Sequence, residues 1–99
     1  MTAALRVEWS PKASGDLKRL LRFLYKRSPA AAQKAAAIIQ RAALQLVDFP
    51  NSGRLYVSGP DNARELLVPF GRAGYSLLYE VEDNVVRITN VKHQREAAY

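Results

Sequence analysis

The sequence predicts an α+β domain: an N-terminal strand, an antiparallel two-helix hairpin, then a three-stranded antiparallel meander, with the helices packed on one face of the sheet (β-α-α-β-β-β). Three observations predict it. Two Ser-Pro steps, Ser10-Pro11 and Ser28-Pro29, each precede a run with helical periodicity. A loop-forming stretch follows, Pro50 to Asn62, and beyond it apolar residues recur with the period-two spacing of strands. The 99 residues are expected to form one domain, residues 1–99, large enough for a core without disulfides or metal.

Leu5, Val7 and Trp9 alternate with Arg6 and Glu8, the pattern of a half-buried first strand. Ser10 supplies an N-cap hydroxyl, and Pro11 takes the first helical position, where its missing N–H is not needed. Ala13, Leu17, Leu20, Leu21 and Leu24 share one helical face; Lys18, Arg19, Arg22 and Lys26 occupy the remainder. The Ser28-Pro29 step breaks the chain near Arg27 and starts the second helix at once, and this helix is expected to run to about Asp48. Its inner stripe reads Ala35, Ile38, Ile39, Ala42 and Leu46. Ala30, Ala31, Ala32, Ala36 and Ala37 leave its first half without bulk, which either raises helix propensity or lets a partner approach closely.

From Pro50 to Asn62 about a dozen residues read as loop, a length often associated with function. The meander is expected as Ala63 to Val68, a turn at Gly71 to Gly74, Tyr75 to Val81, a tight turn at Glu82-Asp83-Asn84, and Val85 to about Lys92. Tyr75, Leu77, Tyr79 and Val81 then share a face and read as core or sheet surface rather than as a base-stacking platform, although exposed tyrosines next to arginines would suit single-stranded RNA.

Composition narrows the function. Fifteen Lys and Arg against nine Asp and Glu give a net charge of +6, which favours an acidic partner: nucleic acid, an acidic protein segment or an anionic membrane surface. The chain has no cysteine and a single histidine, so a disulfide framework, a thiolate metal site and a multi-histidine site are all excluded. No metal or other cofactor is expected. Arg6 and Glu8 interrupt any apolar signal core, and no apolar run approaches the roughly 18 residues of a membrane span, so a cytoplasmic protein without a membrane partner is expected.

What chemistry remains is metal-free. Cleavage of RNA through its 2′-hydroxyl needs a base, an acid and cations on the phosphate, and the candidates are His93, Arg95, Arg87, Arg64, Lys92 and Tyr99. In an extended tail His93 and Arg95 share a side at roughly 7 Å, whereas Arg87 and His93, of equal parity, lie about 20 Å apart along a strand. A site around His93 therefore has to recruit from neighbouring segments, with Arg64 and Arg54 the candidates. Arg64 and Glu65 point to opposite faces and are not expected to pair with each other.

The order of elements and several local strings resemble the RelE/ParE superfamily of bacterial toxins. The strings are Val7-Glu8-Trp9-Ser10 leading to Ala13 and Asp16-Leu17, then Leu46, Phe49-Pro50 and Gly53-Arg54. Ala63-Arg64-Glu65-Leu66, Gly74-Tyr75-Ser76-Leu77-Leu78-Tyr79 and Val91-Lys92-His93-Gln94-Arg95-Glu96 follow. The resemblance covers nearly the whole chain. It implies a toxin held inactive in a hetero-oligomeric complex by an antitoxin with an acidic, partly disordered tail. Two activities occur among such proteins: RelE-like members cleave mRNA on the ribosome, and ParE-like members are similar to inhibitors of DNA gyrase.

The ribonuclease pattern places arginine after the tyrosine in Gly-Tyr-Arg-x-x-Tyr, where this chain has Ser76. The preceding strand reads Leu66-Leu67-Val68-Pro69 and offers none of the lysines expected of a nuclease. The His93-x-Arg95 ending is closer to ParE-like chains. The resemblance thus implies a gyrase-binding toxin rather than an enzyme, with Arg87, Lys92, His93 and Arg95 contributing to target binding and no cofactor. The alternative is an endoribonuclease using His93, Arg95, Arg64 and Tyr99, and a third possibility is a degenerate member that only binds its antitoxin. Arg19, Arg22, Ala31 and Ala35 on the helices, with one exposed sheet edge, are the expected antitoxin-docking surface.

Overall fold

The computed structural model describes residues 5–99. Its order is β1 (Arg6–Trp9), α1 (Pro11–Arg27), α2 (Pro29–Asp48), β2 (Arg54–Leu55), β3 (Arg64–Phe70), β4 (Ala73–Glu82) and β5 (Val85–His93). The strands form one five-stranded sheet ordered β1-β5-β4-β3-β2, and the helical hairpin packs on one face of it. The predicted α+β architecture is present, with two additions. β1 joins the sheet as a parallel neighbour of β5, and the expected loop contains β2, a two-residue strand on the edge of β3.

Both Ser-Pro starts do what their chemistry dictates. Ser10 Oγ accepts the Ala13 N–H at 3.0 Å, and Ser28 Oγ accepts the Ala31 N–H at 3.1 Å. Lys26 and Arg27 lie in the last turn of α1, where the helix dipole favours cations. The core between helices and sheet is built from Ala13, Leu20, Ala35, Ile39, Ala43 and Leu46 against Tyr75, Leu77, Tyr79, Val86, Ile88 and Val91. Burying this set supplies the dominant favourable term in folding. Asp83 and Asn84 both adopt positive φ, 52° and 64°, the conformation a two-residue hairpin requires and one that asparagine and aspartate tolerate. Gly74, at φ 149°, lies so close to the Val68 carbonyl that no side chain fits.

One irregularity decides which side chains share a face. The β4–β5 register slips between Leu78 and Tyr79: Leu78 pairs with Asn90 but Tyr79 pairs with Ile88, so Thr89 is the extra residue of a bulge. Before it, the even residues Val86 and Ile88 point into the core; after it, the odd residue Val91 does. The expectation that Arg87 and His93 share a side is therefore corrected, because the bulge inverts the parity between them. The freed Val91 N–H is accepted by Asp16 Oδ2 of α1 at 3.0 Å, which ties the helix to the irregular strand.

Candidate functional site

The sequence-selected residues fall into two constellations on opposite faces of the sheet. On the helix side, α1 and the turn between β3 and β4 enclose an open groove of about 700 Å³. Leu20, Leu24, Phe70 and Tyr75 make its apolar lining, and Arg19, Arg27, Arg72 and Arg95 surround them. The geometry of His93 follows from the end of β5. Its ring meets Tyr75 edge-on, with centroids 5.4 Å apart, and its Nδ1 accepts the Arg95 N–H at 3.1 Å. In the neutral ring the proton therefore sits on Nε2. Glu96 closes the turn, accepting the His93 N–H at 3.0 Å and pairing with Arg19 at 3.3 Å. Phe23 is 62% exposed beside the groove, with the Arg27 guanidinium 4.9 Å from its ring centroid.

The other face carries a polar cluster centred on Glu65, which β3 places there because Leu66, Val68 and Phe70 turn to the core. Arg54 donates from Nε and from its terminal nitrogen to Glu65 Oε1, at 3.1 and 2.8 Å. The Tyr99 hydroxyl donates to Oε2 at 2.6 Å. Burial pushes the Glu65 carboxyl up, but the hydrogen bonds from Tyr99 and Arg54 and the charges of Arg54 and Lys92 outweigh it and hold the group below the usual carboxylate range. Tyr99 moves the other way: burial, then its bond to the Glu65 carboxylate, keep its phenol protonated well above the ordinary tyrosine range. Lys92 sits 5.4 Å from the Tyr99 ring centroid, and Tyr56 meets that ring edge-on at 5.6 Å. Ser76, opposite Lys92 in the β4–β5 register, is buried beneath this tail.

The remaining candidates are engaged in holding the fold. Arg64 lies on the helix-facing side at the end of the sheet and donates to the carbonyls of Gly53 at 2.7 Å and Asn51 at 3.3 Å. Arg64 and Glu65 do point to opposite faces, as the strand pattern requires. Arg87 reaches Glu8 at 3.5 Å on the exposed face. Arg22 is exposed and Ala31 half-buried, but Ala35 is completely buried in the core. Ala35, read both as part of the inner stripe and as a docking residue, holds the first place and is corrected on the second: its small side chain is enclosed in the core and offers a partner nothing. Among the described residues no cluster of potential metal ligands occurs, and no helix is long and apolar enough to cross a membrane.

Comparison with known proteins decides what this scaffold is. Residues 7–98 match the family model described as the ParE toxin of type II toxin–antitoxin systems, parDE. The chain belongs to the RelE/ParE superfamily of type II toxins. It is 40% identical to Toxin RelE3 of Caulobacter vibrioides over 91% of this chain and 95% of that protein. Toxin RelE1 of the same organism is 32% identical over 88% of this chain and 90% of the relative. A solved structure titled "Chromosomal ParDE TA system from P. aeruginosa" shares the fold, with a TM-score of 0.73 at 22% identity, covering 91% of this chain and 96% of that chain. Membership in this family implies a cognate antitoxin as partner.

For a superfamily member, the distribution of candidate catalytic groups is informative. His93 and Arg95 border the helix-side groove, Tyr99 lies on the opposite face, and Arg64 anchors a loop. The four are not brought together. Glu65, the carboxylate nearest to Tyr99, already has both oxygens occupied, so taking a proton from a substrate hydroxyl would first require breaking one of these bonds. Reasoning from the strands missed Glu65 as the centre of a cluster and missed Phe23, Arg27, Phe70 and Arg72 as groove residues. Only the inversion of apolar parity from Ile88 to Val91 signalled in the sequence that His93 would take the helix side and Lys92 the open face.

Proposed function

We propose that this toxin acts as ParE-like members do, inhibiting DNA gyrase by binding rather than by cutting a bond, and so arresting growth when its antitoxin is lost. In this reading it works in the cytoplasm, and its gene pair serves plasmid stabilisation. The observation that carries the reading is the dispersal of His93, Arg95, Arg64 and Tyr99 over three separate surroundings, with no shared point where a phosphate could meet base, acid and cation. Arg95, His93 and the flanking groove form one part of the target surface. Arg87 and Lys92, on the other face, form a second. The antitoxin covers α1 with Arg19 and Arg22, passes near Ala31, and leaves an oligomeric toxin–antitoxin complex in which these surfaces are closed.

The experiment is inhibition of gyrase supercoiling by the purified chain, with relief on adding the antitoxin. Unchanged supercoiling at large molar excess would sink the reading. A second reading, ribosome-dependent mRNA cleavage, is favoured by the RelE names of the curated relatives. It requires codon-phased cleavage in a translation extract that disappears in His93→Ala or Arg95→Ala.

A further inference from the structure

The charge of this protein is concentrated on one helix. Lys12, Lys18, Arg19, Arg22, Lys26 and Arg27 all lie on α1, with Asp16 its sole acid, so α1 carries +5 of the chain's +6. Asp16 is turned inward, occupied by Lys12 and by the Val91 N–H. Arg19 is held by Glu96, and Arg27 by the Phe23 ring. Lys18, Arg22 and Lys26 remain: all three are exposed and have no acidic partner among the described residues. Their i, i+4, i+8 spacing stacks them along the helix face opposite the buried Ala13 and Leu20. Like charges at this spacing weaken a helix, so the stripe is not there to stabilise α1.

We propose that the Lys18–Arg22–Lys26 stripe binds the phosphate backbone of duplex DNA directly. Eight residues of helix extend about 12 Å, a length over which a duplex presents roughly seven phosphate charges. The ridge points straight out of the protein, so a convex duplex can meet it without rearrangement. The stripe is open to DNA in the free toxin, and the antitoxin, which shares Arg22, would compete for it. An acidic peptide that buries apolar side chains finds its floor in the groove, where arginines surround Leu20, Leu24 and Phe70, whereas the stripe offers charge alone. The stripe therefore reads backbone charge and not base sequence. This inference is independent of the target enzyme, because the binding is measured with no gyrase present.

The test is fluorescence anisotropy of a labelled duplex of about 20 base pairs with the purified full chain and with the triple variant Lys18→Gln/Arg22→Gln/Lys26→Gln. If three phosphates are neutralised, log affinity falls with log salt at a slope of about −2.7, an affinity loss of about 40-fold between about 50 and 200 mM salt. The variant, folded by circular dichroism, is expected to bind far more weakly with a slope shallower by two to three units. Equal slopes for the two proteins, or no binding by the parent chain at low salt, would overturn the proposal. A poly-glutamate peptide of matched charge is the second probe. Weaker binding than DNA supports the assignment, and binding as tight as DNA or tighter gives the stripe to an acidic protein instead.

Discussion

Tyr75 and Tyr79 lie on the same strand and the same core-facing side, both buried, yet removing their hydroxyls should have very unequal consequences. The Tyr79 hydroxyl donates to the Pro50 carbonyl at 2.7 Å and accepts the buried Gly53 N–H at 2.9 Å. It pins the segment that carries Arg54 onto Glu65. Tyr79→Phe keeps the ring, and with it the apolar burial, but strands a buried donor, which costs about 1–3 kcal/mol, and loses a second bond of about 1 kcal/mol net. The total is about 2–4 kcal/mol, a large part of the about 5–15 kcal/mol available to a domain of this size, and lowers Tm by about 10–30 °C. The Tyr75 hydroxyl borders the groove and makes no comparable side-chain bond, so Tyr75→Phe should stay within about 0.5 kcal/mol. Urea denaturation of both variants reads the difference directly. Equal losses at the two positions, or a Tyr79→Phe loss below about 0.5 kcal/mol, would refute the view that this hydroxyl holds the loop.

Asp16→Ala should cost about 2 kcal/mol by leaving the Val91 N–H of the bulge without a partner, while Asp16→Asn, which keeps an acceptor, should cost less; denaturation midpoints compare them. Gly74→Ala should destabilise by about 3 kcal/mol or more, since a Cβ there meets the Val68 carbonyl in a backbone conformation that side chains avoid. Tyr99→Phe should lower stability on a plateau between about pH 5 and pH 9, followed by denaturation across pH. The lowered Glu65 group contributes above its unfolded pKa of about 4.3 and loses that contribution as pH falls through its folded value. The raised Tyr99 phenol contributes below its unfolded pKa of about 10 and loses it as pH rises further, so the gap to Tyr99→Phe should close at both ends.

The parts of the fold that local chemistry dictates were legible. Ser10-Pro11 and Ser28-Pro29 fix both helix starts within a few residues of sequence, and period-two alternation marks β3, β4 and β5 to within two residues at each end. β2 was hidden because two residues carry no periodicity. Its pairing depends on Tyr79, 24 residues beyond Leu55, holding the preceding turn, and on Arg54 finding Glu65. The groove was hidden for a similar reason: Arg27, Phe70 and Arg72 are brought together only by packing α1 over the β3–β4 turn. Ala35 was offered for docking despite its place in the inner stripe, because alanine has the same helical signature on a surface and in a tight core.

The bulge on β5 also constrains how this toxin can engage a target. Without Thr89 as an extra residue, His93 would stand on the open face beside Glu65 and Tyr99, where a carboxylate, an imidazole and the Arg54 guanidinium would share one basin. With it, Lys92 takes that place and closes the basin by lying against the Tyr99 ring, while the imidazole goes to the groove. A register shift of one residue thus separates the single histidine of the chain from its best-placed carboxylate, and Asp16 holds the shift by accepting the Val91 N–H. Surfaces separated in this way fit the proposed binding mode: each presents fixed charge to a partner, and among the described residues the base, acid and phosphate-binding cation that cleavage would need stand at different points.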